Sequence, residues 1–101
     1  MDNIKILIAD NSSVYKKMFA QAAAEIDKTS VVSFASDGDE TLRKVIRQDF
    51  DIIIIDKELP GKNIVDLIKA IIRESPKFLI LITSRPTPSN EKFFAEALAV
   101  F

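Results

Sequence analysis

With 101 residues, 14 basic and 15 acidic side chains and a formal net charge of −1, the chain is sized for one small domain and carries no overall field to draw it to nucleic acid or an anionic membrane. Hydrophobic residues make up 48% and charged residues 29%, the balance of an ordinary globular domain. Cys and His are both absent, which excludes disulfides, thiolate nucleophiles, imidazole metal sites and histidine triads and leaves only hard, oxygen-held cations as metal candidates.

The opening Met1-Asp2-Asn3-Ile4-Lys5 lacks the basic-then-apolar pattern of a signal peptide, and no apolar run reaches bilayer length. A cytoplasmic protein with no membrane contact is expected. Ile4–Ala9 reads as a first buried strand, interrupted by Lys5, and it runs into the turn and N-cap residues Asp10-Asn11-Ser12-Ser13. In the helix that should follow, Val14, Met18, Ala22 and Ile26 recur every four residues, with Phe19 and Ala23 widening the stripe. This row is expected to face the core, with Lys16, Lys17, Gln21 and Glu25 outside. Val31–Ala35 is a second strand, less uniformly apolar and so nearer an edge. Ser36-Asp37-Gly38-Asp39-Glu40 turns into a second helix, with Asp37 as N-cap and Glu40 three residues on, as in a capping box. Leu42, Val45 and Ile46 should form its inner face. Arg43, Lys44 and Arg47 read as its solvated side rather than a binding patch.

Ile52–Ile55 is a run of four β-branched apolar residues, the mark of a strand buried on both faces, and it ends in Asp56. Pro60-Gly61-Lys62-Asn63 forms a loop. A third helix carries Ile64, Val65, Leu67, Ile68, Ile71 and Ile72 and is stopped near Ser75-Pro76. Phe78–Ile82 is a fourth strand ending in Thr83-Ser84. Residues 85–90 form a stiff loop, and Pro88 suits the first position of a last helix with Phe93, Phe94, Ala97 and Leu98 on its face. Strand and helix alternate four times, which predicts an α/β domain: a parallel sheet with right-handed crossovers and helices on both faces.

A single Asp after a strand is most often a cap or turn residue. Here three strands end in oxygen-bearing residues, Asp10 with Asn11, Asp56, and Thr83 with Ser84. A parallel sheet brings such ends to one edge, where ligands bind in open α/β folds, and neighbouring strands are about 4.8 Å apart. Two adjacent carboxylates repel, and a divalent ion such as Mg²⁺ resolves the conflict with phosphate oxygens as further ligands. Thr83 could donate to a phosphoryl oxygen. These residues suggest phosphoryl chemistry with Asp56 as nucleophile. Gly38 and Gly61 are the only glycines, so neither a dinucleotide fingerprint nor a P-loop can be built.

Lys5 through Ser13, Ala35-Ser36-Asp37-Gly38-Asp39-Glu40, Asp51 through Asp56 with Leu59-Pro60, and Leu81-Ile82-Thr83-Ser84 together resemble, in register along the whole chain, the receiver domain of two-component response regulators. The resemblance implies a flavodoxin-like fold with strand order 2-1-3-4-5 and phosphorylation of Asp56 by a histidine kinase or phosphotransfer protein with Mg²⁺. It implies metal ligation by Asp10, Asn11, Asp56 and the backbone carbonyl of Glu58. Thr83 would be the switch hydroxyl and Ser84 the small residue beside it, and an output partner would read the 85–101 face. More weakly, Asn11 through Met18 and Val31 to Glu40 resemble receivers fused to chemotaxis methylesterases. No esterase sequence is present, and the chain alone is not expected to be an enzyme.

Three departures from the family pattern stand out. Asn11 replaces an acid, which should weaken Mg²⁺ binding, and Asn63-Ile64 stands where the family has Asp-Gly. The fifth strand, its lysine and the fifth helix are absent, so residues 1–101 read as a receiver domain incomplete at the C-terminus, expected to be a fragment of a longer protein. The exposed fourth strand then predicts a homodimer through the sheet edge. Asp56, Asp10 and Thr83 favour a phosphorylatable receiver. Asn11, Ile64 and the missing lysine favour the alternative, a pseudo-receiver interaction module that is not phosphorylated.

Overall fold

The computed structural model describes residues 3–74 and 79–83. In chain order the elements are β1 (Lys5–Ala9), α1 (Ser13–Ile26), β2 (Val31–Ala35), α2 (Gly38–Arg47), β3 (Ile52–Asp56), α3 (Ile64–Glu74) and β4 (Leu79–Thr83). The strands form one sheet in the order β2-β1-β3-β4, parallel throughout. This is the expected α/β architecture, with β2 at an edge. The stop at Ser75-Pro76, the start of the fourth strand at Phe78, the 85–90 loop and the last helix with Phe93, Phe94, Ala97 and Leu98 lie outside the described residues.

The unalternating strands are explained by what covers them. Leu7, Ala9, Ile53 and Ile55 join Val45 of α2 with Leu67 and Ile71 of α3 in one core. Ile6 and Ile8 point the other way, to a smaller core with Ala23, Phe19 and Ile54. Successive strand residues alternate faces, so a strand covered on both sides must be apolar at every position.

Which row of a helix meets the sheet was less legible. In α1, Ala23 is buried, with Phe19 and Ala20 packed on the same core. Of the expected inner stripe, Phe19 and Ala23 thus meet the sheet, whereas Val14 is 74%, Met18 46% and Ile26 86% exposed, with Ala22 and Ile26 bordering an apolar cleft beside Ile52 and Ile54. All of these positions repeat at helical spacing, so periodicity identifies the helix without choosing among them. The sheet takes the part in which small Ala23 permits close approach and Phe19 supplies a large apolar ring. Ile46 of α2 is a similar correction. Thr41 and Val45 are buried and Leu42 packs against the core, while Ile46 is 59% exposed. In α3, Leu67, Ala70 and Ile71 are buried, with Ile64 and Ile68 packed on the core, whereas Val65 and Ile72 are exposed.

The helix starts follow the sequence. Ser12 Oγ accepts from the Tyr15 N–H at 3.3 Å and caps α1. Asp37 Oδ1 accepts from the Glu40 N–H at 2.8 Å and caps α2. The Glu40 carboxylate reaches back to the Ser36 N–H at 3.2 Å, one residue before the partner a capping box would give it. Lys44, read as solvated, donates from Nζ to the Phe34 carbonyl on the outer edge of β2. Among the described residues no helix is long and apolar enough to cross a membrane.

Candidate functional site

The carboxyl ends of β1, β3 and β4 meet at one edge of the sheet. Ala9 pairs with Ile55 and Asp56 pairs with Thr83. Asp10, the residue after Ala9, therefore stands level with Asp56 on the neighbouring strand, where strands run about 4.8 Å apart. Both acids are withdrawn from solvent, Asp10 at 1% and Asp56 at 4% exposure. Backbone bonds carry the sheet one step past its strands. The Asp10 N–H donates to the Ala35 carbonyl at 3.0 Å and the Lys57 N–H to the Thr83 carbonyl at 2.8 Å.

Each carboxylate accepts a backbone donor from its own turn. Asp10 Oδ1 accepts from the Ser12 N–H at 2.8 Å, and Asp56 Oδ1 from the Glu58 N–H at 3.2 Å. Such local bonds orient a short acidic side chain without a second element. The Thr83 hydroxyl donates to the Ile55 carbonyl at 3.5 Å, at the long limit of a hydrogen bond. At the β2 end of the same edge, Lys16 Nζ donates to Ser36 Oγ at 2.9 Å.

Asp10, Asp56 and Thr83 are thus brought together. Asn11 and Glu58 lie on the adjoining turns, both exposed. Ser84 lies outside the described residues. Among the described residues no three or more His, Cys, Asp or Glu side chains gather into a metal cluster. The buried pair of carboxylates still suits a hard cation, because Mg²⁺ is bound by one or two carboxylates and completes its shell with waters and other oxygens.

The turn after β3 is held from an unexpected direction. Its Pro60 carbonyl accepts from the Gly38 N–H of α2 at 2.8 Å, and Lys62 pairs with Asp39 at 3.4 Å. Gly61 has φ +99°, a conformation glycine adopts at little cost. Asn63 Oδ1 accepts from the N–H groups of Val65 and Asp66 at 2.9 and 3.3 Å and so caps α3. The family's glycine position is Ile64 in this chain, and the left-handed residue of the turn is Gly61, three positions earlier. Sequence reading missed this clamp, although one signal was available, since the chain has only two glycines and they meet here. It also missed Lys16, which was assigned to the solvated side of α1.

Residues 6–100 match the sequence profile of the response regulator receiver domain. The chain belongs to this family. Over 94 residues the receiver domain is 28% identical to a protein-glutamate methylesterase/protein-glutamine glutaminase of Geobacter sulfurreducens, covering 93% of this chain and 25% of that protein. It spans about a quarter of the curated relatives it matches. Among solved structures, the Vibrio cholerae chemotaxis protein CheY4 superposes with a TM-score of 0.73 at 26% identity, over 90% of this receiver domain and 77% of that chain. A Burkholderia pseudomallei response regulator, solved with a phosphorylated aspartic acid and a calcium ion, shares the fold with a TM-score of 0.73 at 20% identity, over 86% of this chain and 51% of that one. The fold is the flavodoxin-like receiver fold of two-component signalling, and a receiver is a regulatory domain.

Proposed function

We propose that this receiver domain is a cytoplasmic phosphorylation switch in which Asp56 accepts a phosphoryl group from a histidine kinase or a phosphotransfer protein. One observation carries the reading: a buried Asp56 at the end of β3, level with buried Asp10 on one side and paired with Thr83 on the other. An Asp56 carboxylate oxygen bonds to phosphorus as the donor's phosphorus–nitrogen bond breaks, and the departing imidazole nitrogen takes a proton from solvent. The Glu58 N–H on Asp56 Oδ1 orients the nucleophile.

Asp10, Asn11, Asp56 and the backbone carbonyl of Glu58 are the groups that would hold Mg²⁺, and their all-oxygen chemistry fits that ion. When bound, Mg²⁺ supplies positive charge against the two carboxylates and the incoming phosphoryl oxygens. Thr83, weakly bonded to the Ile55 carbonyl, would turn toward the phosphoryl group, with Ser84 beside it. The change would pass to the 85–101 face, where an output partner reads it. The relatives of the methylesterase class support a chemotaxis context and an esterase domain elsewhere in a longer protein, with no catalysis by this chain itself.

Intact-mass spectrometry after incubation with an acyl phosphate and Mg²⁺ tests the reading. One phosphoryl adduct is expected on the chain and none on Asp56→Asn. An unmodified chain, or an adduct that persists in the variant, overturns it.

A further inference from the structure

The turn after β3 is fixed at both of its ends, and by different elements. At the near end it is held by Asp56. The Glu58 N–H donates to Asp56 Oδ1 at 3.2 Å and the Leu59 N–H to the Asp56 carbonyl at 3.0 Å, while the Leu59 side chain is buried in the core. At the far end Pro60, Gly61 and Lys62 are all exposed, so no side chain sunk in the core holds them. They lie on the start of α2 instead. There the Gly38 N–H donates to the Pro60 carbonyl at 2.8 Å, and Lys62 pairs with Asp39 at 3.4 Å.

Gly38 is buried beneath this turn, and its lack of a side chain sets the approach. A Cβ there would stand 2.7 Å from the Lys62 Cβ and 3.1 Å from the Lys62 backbone nitrogen. A helix start can give its free N–H groups to water or to a cap, and Asp37 already caps α2 through the Glu40 N–H. The stability of α2 alone does not explain why the turn comes so close. The Glu58–Leu59 peptide, between the two fixed ends, does. In a trans peptide the C=O and N–H point in opposite directions, so the bond from the Leu59 N–H to Asp56 directs the Glu58 carbonyl. The clamp on Pro60, two residues further on, stops the turn from rolling about that bond.

We propose that Gly38 is a positioning residue for the cation site: its N–H and its missing side chain let α2 hold the turn after β3, and so fix the Glu58 carbonyl beside Asp56. The inference rests on the proposed role of Asp10, Asp56 and the Glu58 carbonyl in holding Mg²⁺. Gly38 touches none of these oxygens and acts only through the turn.

Amide shifts followed through a Mg²⁺ titration of the 101-residue chain, with hydrogen exchange on the same samples, test the assignment. The unmodified chain should bind Mg²⁺. Gly38→Ala should bind it about tenfold more weakly, the lower end of what groups that orient metal ligands contribute. Adding Lys62→Gly to Gly38→Ala clears the Lys62 Cβ and should recover most of the affinity. Ile6→Val, a core change on the other face of the sheet, should lower stability and leave the affinity of the folded chain unchanged. Coupling is reciprocal, so saturating Mg²⁺ should slow exchange of the Gly38 N–H in the unmodified chain by about the same tenfold. That measurement stands whether or not Gly38→Ala folds. Equal affinity in folded Gly38→Ala, or a Gly38 N–H whose exchange ignores the ion, overturns the positioning role and leaves the cation site standing. An unmodified chain that binds no Mg²⁺ overturns both.

Discussion

Gly38 and Gly61 approach so closely that a Cβ built on Gly61 would stand 3.2 Å from the Gly38 nitrogen. A Cβ on Gly38 would lie 2.7 Å from the Lys62 Cβ and 3.1 Å from its backbone nitrogen. These are backbone-anchored atoms, so relief requires the turn after β3 to lift from α2. Gly38→Ala should therefore lower stability by about 1–3 kcal/mol, the range of overpacking changes. Gly61→Ala should cost about 1–2 kcal/mol because φ +99° disfavours a side chain. Urea denaturation measures both, and a wild-type midpoint for Gly38→Ala would show that the clamp has slack.

In the proposed switch, Thr83 would separate the chemistry from its transmission. Its hydroxyl touches the Ile55 carbonyl rather than any catalytic proton. Thr83→Ala should leave the phosphoryl adduct on Asp56 but abolish the donor-dependent change in amide chemical shifts along β4. Loss of the adduct in Thr83→Ala would instead make Thr83 part of the acceptor chemistry.

In the proposed switch, Asn11 would limit the cation site by its missing charge. Asn11→Asp adds a carboxylate beside buried Asp10 and Asp56 and should tighten Mg²⁺ binding by about tenfold, or ~1.4 kcal/mol. Amide shifts followed through a Mg²⁺ titration give the affinity. Equal or weaker binding by the variant would remove Asn11 from the ligand set.

Asp27 provides a pH marker at the far end of α1. The Thr29 N–H and then its hydroxyl, at 2.9 and 2.8 Å from Asp27 Oδ1, hold the carboxyl below the ordinary carboxylate value of 3.8. A carboxylate whose pKa is lower in the folded chain adds stability above its unfolded pKa and loses it as pH falls through the lowered folded one. Asp27 should titrate below 3.8 by NMR, and Thr29→Val, which removes only the hydroxyl bond, should move it part of the way back up. Valine keeps the backbone N–H, so an unmoved midpoint in Thr29→Val would show that the hydroxyl contributes nothing and the backbone bond carries the whole shift.

Most of the scaffold was legible because it rests on local chemistry. The run Ile52–Ile55 announced a doubly covered strand, Ser12 and Asp37 announced helix starts, and Asp10 and Asp56 announced the edge at which the strand ends meet. What stayed hidden depends on three-dimensional packing. Val14 and Phe19 both lay on the expected apolar stripe of α1, and only the shape of the sheet selects the part containing Phe19 and Ala23. The contact of Gly38 with Pro60 joins residues 22 positions apart, and Lys16 and Lys44 look solvated until the edge of β2 is placed beside them. No pattern confined to one helix or turn carries that information.

The lysine cap on β2 has a consequence for colloidal behaviour. A bare strand edge is a template on which further strands polymerise, and natural sheets often blunt it with a lysine. Lys44 occupies the Phe34 carbonyl, so a strand arriving at this border must first break that bond and approach a positive charge. Acetylation of Lys44 would remove that charge and leave this border less guarded against strand addition, whereas the same modification at exposed Lys69 would leave it guarded.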